Sequence, residues 1–445
     1  MFFCFQPGFG RAQQPTPEAG DHLFSRSGRA SLLAVLVWLP ALSPLTASAG
    51  PPLTLARVQQ LALENQPALA ALQAEVRAGR EGAVAEAQLP DPRLKLGLQN
   101  VPADSFALNR DPMTQAMVAI EQAIPGGDKR ALRRRRGEAE AERAVAELAA
   151  QRQAIRRDAA LAYVALVGAR QQLGQIATLH AETARQVEAT RIGTVAGQGS
   201  QADVLAARQM LTMTRDRESE LQIQADKARA ELGRWIGPAA AGDPAESLPQ
   251  RAAPRPLAQL LDRLASHPGH GTSGAEVTLA EAELALAREA SAPDKSIEIG
   301  YGRRAREFGD MVSIQFAMDL PLFPKNRQDR GIATRQARLE RAQAMGEDHL
   351  RALQAEVSAL YAEWQGGEAR LARFDRELVP DAHRRVDAAL ANYRSGRGGL
   401  VAVLEARRAE LEARMTRIQL ATQVARARLQ LAYFEDTGED HESQH

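Results

Sequence analysis

The sequence predicts an α+β fold that contains one unit twice: two strands, a long helix, a tight turn and a second helix. The phrase MVAIEQAIPGGDKR at Met117–Arg130 returns in altered form as MVSIQFAMDLPLFPKNR at Met311–Arg327. An Ala- and Arg-rich helical stretch follows each phrase and runs to a glycine-rich break, at Gly193–Ser200 and at Ser395–Gly399. Corresponding positions lie about 200 residues apart, which indicates duplication of a whole structural unit.

The N-terminus has the pattern of a secretion signal, predicted over residues 1–49. Arg26 and Arg29 precede the short apolar run Ala30–Leu39, and residues 47–49 supply small side chains for cleavage. The alternative is a short membrane helix, which the length of the apolar run disfavours. We therefore expect an exported chain.

The composition argues against several classes of protein. The only cysteine, Cys4, falls within the predicted signal peptide, so the exported chain is expected to hold neither a disulfide nor a thiolate metal site. The 56 Lys and Arg residues are balanced by 55 Asp and Glu residues, which argues against nucleic-acid binding through bulk charge. Catalytic triad order, phosphate-binding loops and strong metal-ligand spacings do not occur, so neither an enzyme nor a cofactor is predicted.

Two pairs of strands are predicted, within residues 93–124 and 296–320. In each pair apolar residues alternate with polar or small ones, which is the period of a β-strand. The apolar positions include Leu94, Leu96, Leu98, Val118, Ile120, Ile297, Ile299, Val312, Ile314 and Phe316. Half-buried hairpins of a soluble sheet give this pattern, and so does a membrane β-barrel whose apolar side chains point outward.

Two long helical stretches are predicted, at Asp128–Thr190 and Lys325–Tyr393. At 1.5 Å per residue each would extend on the order of 100 Å, so the helices are expected to pack side by side as in coiled coils. Shorter helices follow each glycine break, Gln201–Trp235 and Leu400–Phe434. The sequence predicts a first repeat at 50–236, which holds the helices Leu53–Asn65 and Pro67–Gln88 and the helical hairpin 128–236. A linker at 237–274 follows. The second repeat is predicted at 275–434 with the helical hairpin 325–434, and a flexible tail at 435–445.

Several charged or histidine-bearing segments are candidate sites on composition alone. Arg133–Arg136 opens the first long helix, where it would form a solvated collar or contact lipid phosphates and acidic partners. His267 and His270 flank a Pro-Gly pair and are expected to lie in a loop rather than to bind a metal. His441 and His445 are expected to belong to a solvated acidic tail.

The order of elements in an exported chain resembles the TolC family of outer-membrane efflux channels. Leu53–Leu55 and Ala62–Pro67 are similar to the opening phrase of that family. Leu89–Arg93, Leu98–Pro102 and Asp111–Met113 are similar to the heavy-metal efflux branch of the CzcC and CusC kind. The resemblance covers nearly the whole exported chain.

The resemblance implies a homotrimer in the bacterial outer membrane. The strands of three chains would form a 12-stranded β-barrel within outer-membrane lipid, and the helices would continue it as a periplasmic α-helical barrel. A periplasmic adaptor protein would contact the helix tips and link them to an inner-membrane RND-type transporter. Nucleic acid is not an expected partner, and the strand loops Val101–Asp111 and Arg303–Asp310 would face outward.

The resemblance also implies site residues at the periplasmic tips. Tyr393 and Asp203 match the pair that latches the closed aperture in the family. Of the two acidic positions that ring this aperture, one is Ala402 here and the other is Glu405, so a trimer would carry three carboxylates rather than six. Four glycines are expected to give the tip turns positive φ angles and to lie at the adaptor contact: Gly193, Gly199, Gly396 and Gly399.

These features together predict a passive exit duct of a tripartite efflux pump, which conducts heavy-metal cations or other small toxic compounds. A periplasmic coiled-coil adaptor protein is the alternative, although adaptors usually combine one hairpin with small β domains. A secreted enzyme on a helical scaffold is a third hypothesis, and it lacks a constellation of site residues.

Overall fold

The computed structural model describes residues 53–435 except 198, 239–243, 245–246 and 250. The predicted signal peptide lies outside these residues, as do His441 and His445. The helices are α1 (Leu55–Asn65), α2 (Pro67–Glu86), α3 (Lys129–Val195), α4 (Gln201–Ile236), α5 (Leu257–Arg263), α6 (Pro268–Arg288), α7 (Gln328–Arg373), α8 (Val379–Arg394) and α9 (Leu400–Glu435). The strands are β1 (Arg93–Gln99), β2 (Gln115–Ile124), β3 (Lys295–Arg303) and β4 (Met311–Met318).

The two predicted strand pairs form one four-stranded antiparallel sheet in the order β1-β2-β3-β4. The two repeats therefore meet at β2 and β3, whereas β1 and β4 are the edges. The register aligns the apolar positions in rows across all four strands, such as Leu94, Ile120, Ile299 and Ile314. Each edge presents backbone donors and acceptors that this sheet does not use.

The two faces of the sheet differ in chemistry. The apolar face is uncovered: Leu96 is 74% exposed and Ile314 is 75% exposed. On the polar face the Lys95 ammonium lies 2.9 Å from the Glu121 carboxylate and 2.6 Å from that of Glu298. A half-buried hairpin of a soluble protein would hide its apolar side, so this chain has the opposite arrangement.

Helix α3 spans 67 residues, which corresponds to about 100 Å at the α-helical rise. Small residues allow its close contact with α2, as expected from its alanine content. A Cβ atom added at Gly137 would lie 2.6 Å from the Cα atom of Ala83, and one added at Gly79 would lie 3.0 Å from the Cα atom of Ala141. Among the described residues, no helix combines the length and apolar character needed to cross a membrane.

The second long helix is divided where the sequence predicts one continuous stretch from Lys325 to Tyr393. A π-helical turn, Phe374–Leu378, joins α7 to α8. Pro380 explains this turn, because a proline ring clashes with the carbonyl four residues earlier and lacks an N–H donor. Helix α7 also begins later than predicted, at Gln328, after the short 3-10 turn Pro324–Asn326.

The predicted linker is partly helical. Helix α6 begins at Pro268, inside the predicted span 237–274, because proline suits the first helical turn and His267 caps it. His267 is fully buried, and its Nδ1 atom accepts a hydrogen bond from the Gly269 amide at 3.1 Å. The loop expected around His267 is thus a helix N-terminus. At the chain's other end, Glu435 belongs to α9 rather than to the tail.

The arginine run at the start of α3 is partly neutralised within the chain. Arg136 pairs with Glu86 of α2, and Arg134 pairs with Glu138 one turn further along α3. Arg130 donates a hydrogen bond to the Ala87 carbonyl at 3.0 Å, which anchors the end of α2. Arg136 thus contributes to packing between α2 and α3, whereas Arg134 and Arg135 are exposed. The solvated collar and the contact with lipid phosphates or acidic partners both stay predictions.

Candidate functional site

The candidate site lies where the two helical hairpins turn, at residues 196–200 between α3 and α4 and at residues 395–399 between α8 and α9. Gly199 has φ 129° and Gly396 has φ 72°, as the sequence predicts. The prediction was wrong for Gly193, which is helical within α3, and for Gly399, which directly precedes α9 without a positive φ. Gly197, with φ 78°, supplies the geometry that was assigned to Gly193.

A capping box closes the first turn. The Asp203 carboxylate accepts hydrogen bonds from the Ser200 amide at 2.9 Å and from the Ser200 hydroxyl at 2.7 Å. The Asp203 amide donates to Ser200 Oγ at 3.2 Å, so the two residues cap the N-terminus of α4 reciprocally. The hydrogen bonds from the side chain and backbone of Ser200 lower the pKa of Asp203 below its ordinary value.

An apolar cluster brings the two turns together. Leu400, Val403 and Leu404 at the start of α9 are buried. They pack with Ala206 and Met210 of α4 and with Ala389 and Leu390 of α8. Two segments about 200 residues apart in sequence therefore form one tip.

Tyr393 and Asp203 do not form the predicted pair within the chain. Tyr393 lies in the last turn of α8 and is 39% exposed. In the part of the chain that the structure describes, its hydroxyl makes no hydrogen bond, and the Asp203 carboxylate is engaged by Ser200. A latch made of these two side chains would thus have to form between copies of the chain.

Glu405 lies one turn into α9, and its side chain is exposed, as is Ala402. Both are on the solvated side of the helix, opposite the buried Val403 and Leu404. The structure thus leaves the Glu405 carboxylate free to face an aperture in an assembly.

A layer of charged side chains further along α9 was not predicted from the sequence. The Glu410 carboxylate, 10% exposed, lies 2.9 Å from His383 Nδ1 and 2.6 Å from the Arg414 guanidinium. Beside it, Arg407 of α9 lies 2.8 Å from Glu182 of α3. A signal was present in the sequence, because Glu410 continues the buried helical stripe of Val403 and Ala406.

This charged layer links three helices rather than holding a metal. Within the residues that the structure describes, no three His, Cys, Asp or Glu side chains converge as metal ligands do. The carboxylates of Glu182 and Glu410 are instead occupied by arginines.

Replacing Glu410 by alanine is expected to lower the stability of the hairpin by about 1–3 kcal/mol, because His383 and Arg414 lose their shared, nearly buried acceptor. Glu412 offers a matched control on the same helix. Its pair with Arg408 is exposed at both ends, so Glu412→Ala should cost less than about 1 kcal/mol. Thermal unfolding followed by circular dichroism compares the two variants, and equal losses would contradict the role given to Glu410.

Acidification is expected to loosen the first turn of α4 before that of α9. Because the folded-state pKa of Asp203 is depressed, its contribution to stability is complete at neutral pH and is lost as pH falls below the ordinary value of 3.8 and through the folded value. Hydrogen-exchange protection factors of the first-turn amides measure this. The first turn of α9 contains no acidic residue and serves as the internal control. A parallel loss of protection in both turns would contradict the prediction.

The fold places this chain among TolC-like outer-membrane channels: a duplicated strand-pair and helical-hairpin unit with one sheet at one end and paired tips at the other. The family model described as outer membrane efflux protein matches residues 58–238 and 264–433. The chain belongs to that family, so it is an efflux channel of the bacterial outer membrane with its helical part in the periplasm. The adaptor hypothesis is not favoured, because adaptors are a different class of protein.

Similar proteins agree with this assignment. The chain is 26% identical over 370 residues to the cobalt-zinc-cadmium resistance protein CzcC of Cupriavidus metallidurans, covering 82% of this chain and 85% of that protein. The outer membrane protein VceC of Vibrio cholerae has a TM-score of 0.73 at 18% identity, covering 86% of this chain and 96% of VceC. A structure of CusC has a TM-score of 0.69 at 17% identity, covering 85% of this chain and 91% of CusC.

Proposed function

We propose that three copies of this chain form the exit duct of a tripartite heavy-metal efflux pump. The observation that carries this proposal is the sheet, which combines an uncovered apolar face with two unpaired edges. Neither an open sheet edge nor a single four-stranded sheet is stable across a bilayer, because backbone groups there find no water. Closure with two further copies would pair every edge in a twelve-stranded barrel.

The helical part would then be the periplasmic tunnel. Helices in proteins owe most of their stability to packing against neighbours, and much of α7 is exposed in the single chain. The turns would lie at the far end, where an adaptor protein and, through it, an RND-type transporter of the inner membrane would engage the tip. Glycines in and beside both turns suit such a contact, because they allow a partner close access to the backbone. They are Gly193 in the last turn of α3 and Gly197, Gly199, Gly396 and Gly399 in the turns.

Heavy-metal cations are the proposed substrate. The support is the similarity to a protein named for cobalt, zinc and cadmium resistance, together with the phrases of the first strand pair. Disrupting the gene in its host should lower tolerance to these divalent metals, and the intact gene should restore it. Unchanged metal tolerance with reduced tolerance to organic toxic compounds would redirect the substrate to small organic molecules.

The aperture is proposed to close at the tips. Tyr393 of one copy would donate a hydrogen bond to Asp203 of its neighbour, in competition with Ser200 for that carboxylate. Glu405 of each copy would face the narrow axis and give a ring of three carboxylates. Such a ring attracts cations and repels anions.

Glu405→Gln is expected to reduce the preference for cations in single-channel recordings, because it removes the charge of this ring and keeps its shape. Reversal potentials in a salt gradient measure the preference. Glu412→Gln is the control, since Glu412 pairs with Arg408 further along α9. A reversal potential that is identical in wild type and Glu405→Gln would remove Glu405 from the aperture.

A further inference from the structure

At the junction between the two repeats, Lys129 contacts the segment that precedes β3. Where β2 leads into α3, the Lys129 ammonium lies 2.8 Å from Asp294 Oδ1 and donates to the Ala292 carbonyl at 2.6 Å. Asp294 directly precedes β3, and its carboxylate also accepts from the Gly126 amide at 2.8 Å. The Lys129 side chain is 11% exposed and the Asp294 side chain is 43% exposed, so this half-buried ion pair joins the chain after β2 to the chain before β3.

The duplication places the same two residue types at the outer edges of the sheet. Pro90-Asp91 precedes β1 as Pro293-Asp294 precedes β3. Lys325 follows β4 at the fourth position after Pro321, as Lys129 follows β2 at the fourth position after Pro125.

The strand register confirms that these positions are equivalent. Leu96 is paired with Val118 in the first hairpin, and Ile299 is paired with Ile314 in the second. Asp91 stands five positions before Leu96, and Asp294 stands five before Ile299. Lys129 stands eleven positions after Val118, and Lys325 stands eleven after Ile314.

Asp91 and Lys325 are unused within the chain. Both are exposed, and among the described residues neither takes part in an ion pair or a side-chain hydrogen bond. They lie beside opposite edges of the sheet, Asp91 at β1 and Lys325 at β4. The Asp91 carboxylate and the Lys325 ammonium have opposite charges, but within one chain they lie at opposite edges of the sheet.

We propose that Lys325 of one copy pairs with Asp91 of the next copy, as Lys129 pairs with Asp294 inside the chain. The inference rests on the proposed trimer and extends it, because it fixes both the residues and the register of the interface. Repeating the β2–β3 register at the β4–β1 boundary sets Ile314 opposite Leu98 of the next copy and Phe316 opposite its Leu96. Apolar side chains then continue in rows around the barrel.

The Lys–Asp side-chain pair can be repeated between copies, whereas the hydrogen bond from the Gly126 amide to Asp294 cannot. A Cβ atom at Gly126 would lie 1.9 Å from the Pro293 carbonyl oxygen, and the equivalent residue after β4 is Leu322. The chain after β4 must therefore stand further from its neighbour than the chain after β2 does. The long lysine side chain spans such a difference, which a direct amide-to-carboxylate hydrogen bond does not.

Charge reversal tests this pairing in the purified full-length protein. Lys325→Asp and Asp91→Lys should each lower the temperature at which the trimer dissociates in detergent, and the double variant should recover the wild-type value. Arg110→Asp is the control, because its partner Asp104 lies in the same exposed loop. Additive losses in the double variant would overturn the proposal.

Cross-linking provides a second readout that keeps the native fold. With Cys4 as the only natural cysteine, Lys325→Cys with Asp91→Cys can be joined by a short bismaleimide. Covalent dimers and trimers are expected, whereas Lys129→Cys with Asp294→Cys should link only within a monomer. Native mass spectrometry shows which proposal fails. A trimer that does not cross-link contradicts the Lys325–Asp91 pair alone. A protein that is monomeric contradicts the proposed function as well.

Discussion

Ile314→Lys is expected to remove the protein from the outer membrane, whereas Gln315→Lys should leave it there. Ile314 is 75% exposed on the apolar face of β4. A lysine facing lipid at the midplane costs about 2–4 kcal/mol, and a trimer would incur this cost three times. Gln315 is its neighbour in sequence but faces the other side, in the row of Glu298, where a lysine meets carboxylates and water.

Membrane fractionation of cells that express each variant measures this difference, with immunoblotting of the soluble and outer-membrane fractions. Because both variants introduce a lysine, a difference between them reports which face of the sheet the lysine occupies and not the added charge itself. Equal insertion of both variants would show that the exposed apolar face does not meet lipid, and the barrel would then lose its main support.

Gly137→Ala is expected to destabilise the helical part, whereas Gly174→Ala in the same helix should stabilise it. A Cβ atom at Gly137 would lie 2.8 Å from the Cβ atom of Ala83, so α2 must move away from α3. Such overpacking costs roughly 1–3 kcal/mol. Nothing lies within 4 Å of a Cβ atom at Gly174, where alanine should contribute about 0.5–1 kcal/mol through its higher helix propensity.

Thermal denaturation midpoints of the purified variants compare the two glycines under one condition. Shifts of opposite sign are expected. If Gly137→Ala has a midpoint at or above that of wild type, the close contact between α2 and α3 does not determine stability.

The duplicated fold was predictable because its signals are periodic and local. Alternation at Leu94, Leu96 and Leu98 predicted β1. The helix predicted at Leu53–Asn65 begins two residues later, at Leu55, where Thr54 accepts a hydrogen bond from the Arg57 amide at 3.3 Å. The order of the strands in the sheet follows less directly from sequence, because it depends on which hairpins meet. In the structure β2 and β3 pair over nine positions, and the Lys129–Asp294 ion pair lies beside this ladder.

Details of the site were less predictable. Gly193 lies just before the first turn and Gly197 lies in it, and composition does not decide which of them leaves the helix. The hydrogen bonds between Asp203 and Ser200 were also not predicted, because a capping box and the proposed latch would use the same carboxylate. Glu410 was not predicted as a site residue, although its place on a buried stripe distinguishes it from the other acidic residues of α9.

The helical segment after the linker shows how tertiary contacts override local composition. Pro268, Gly269, Gly271 and Gly274 read as a loop, yet α6 begins there. The buried His267 explains the difference, since its Nε2 atom lies 3.0 Å from the Tyr433 carbonyl oxygen of α9. That contact fixes the N-terminus of α6 against a helix from the end of the chain.

Conductance across a planar bilayer tests most directly whether this protein is an exit duct. Purified trimer should give stepwise channel currents, and Tyr393→Phe or Asp203→Ala should raise the open conductance if the proposed latch closes the tip. The absence of any channel current from the wild type and from both tip variants would contradict the account.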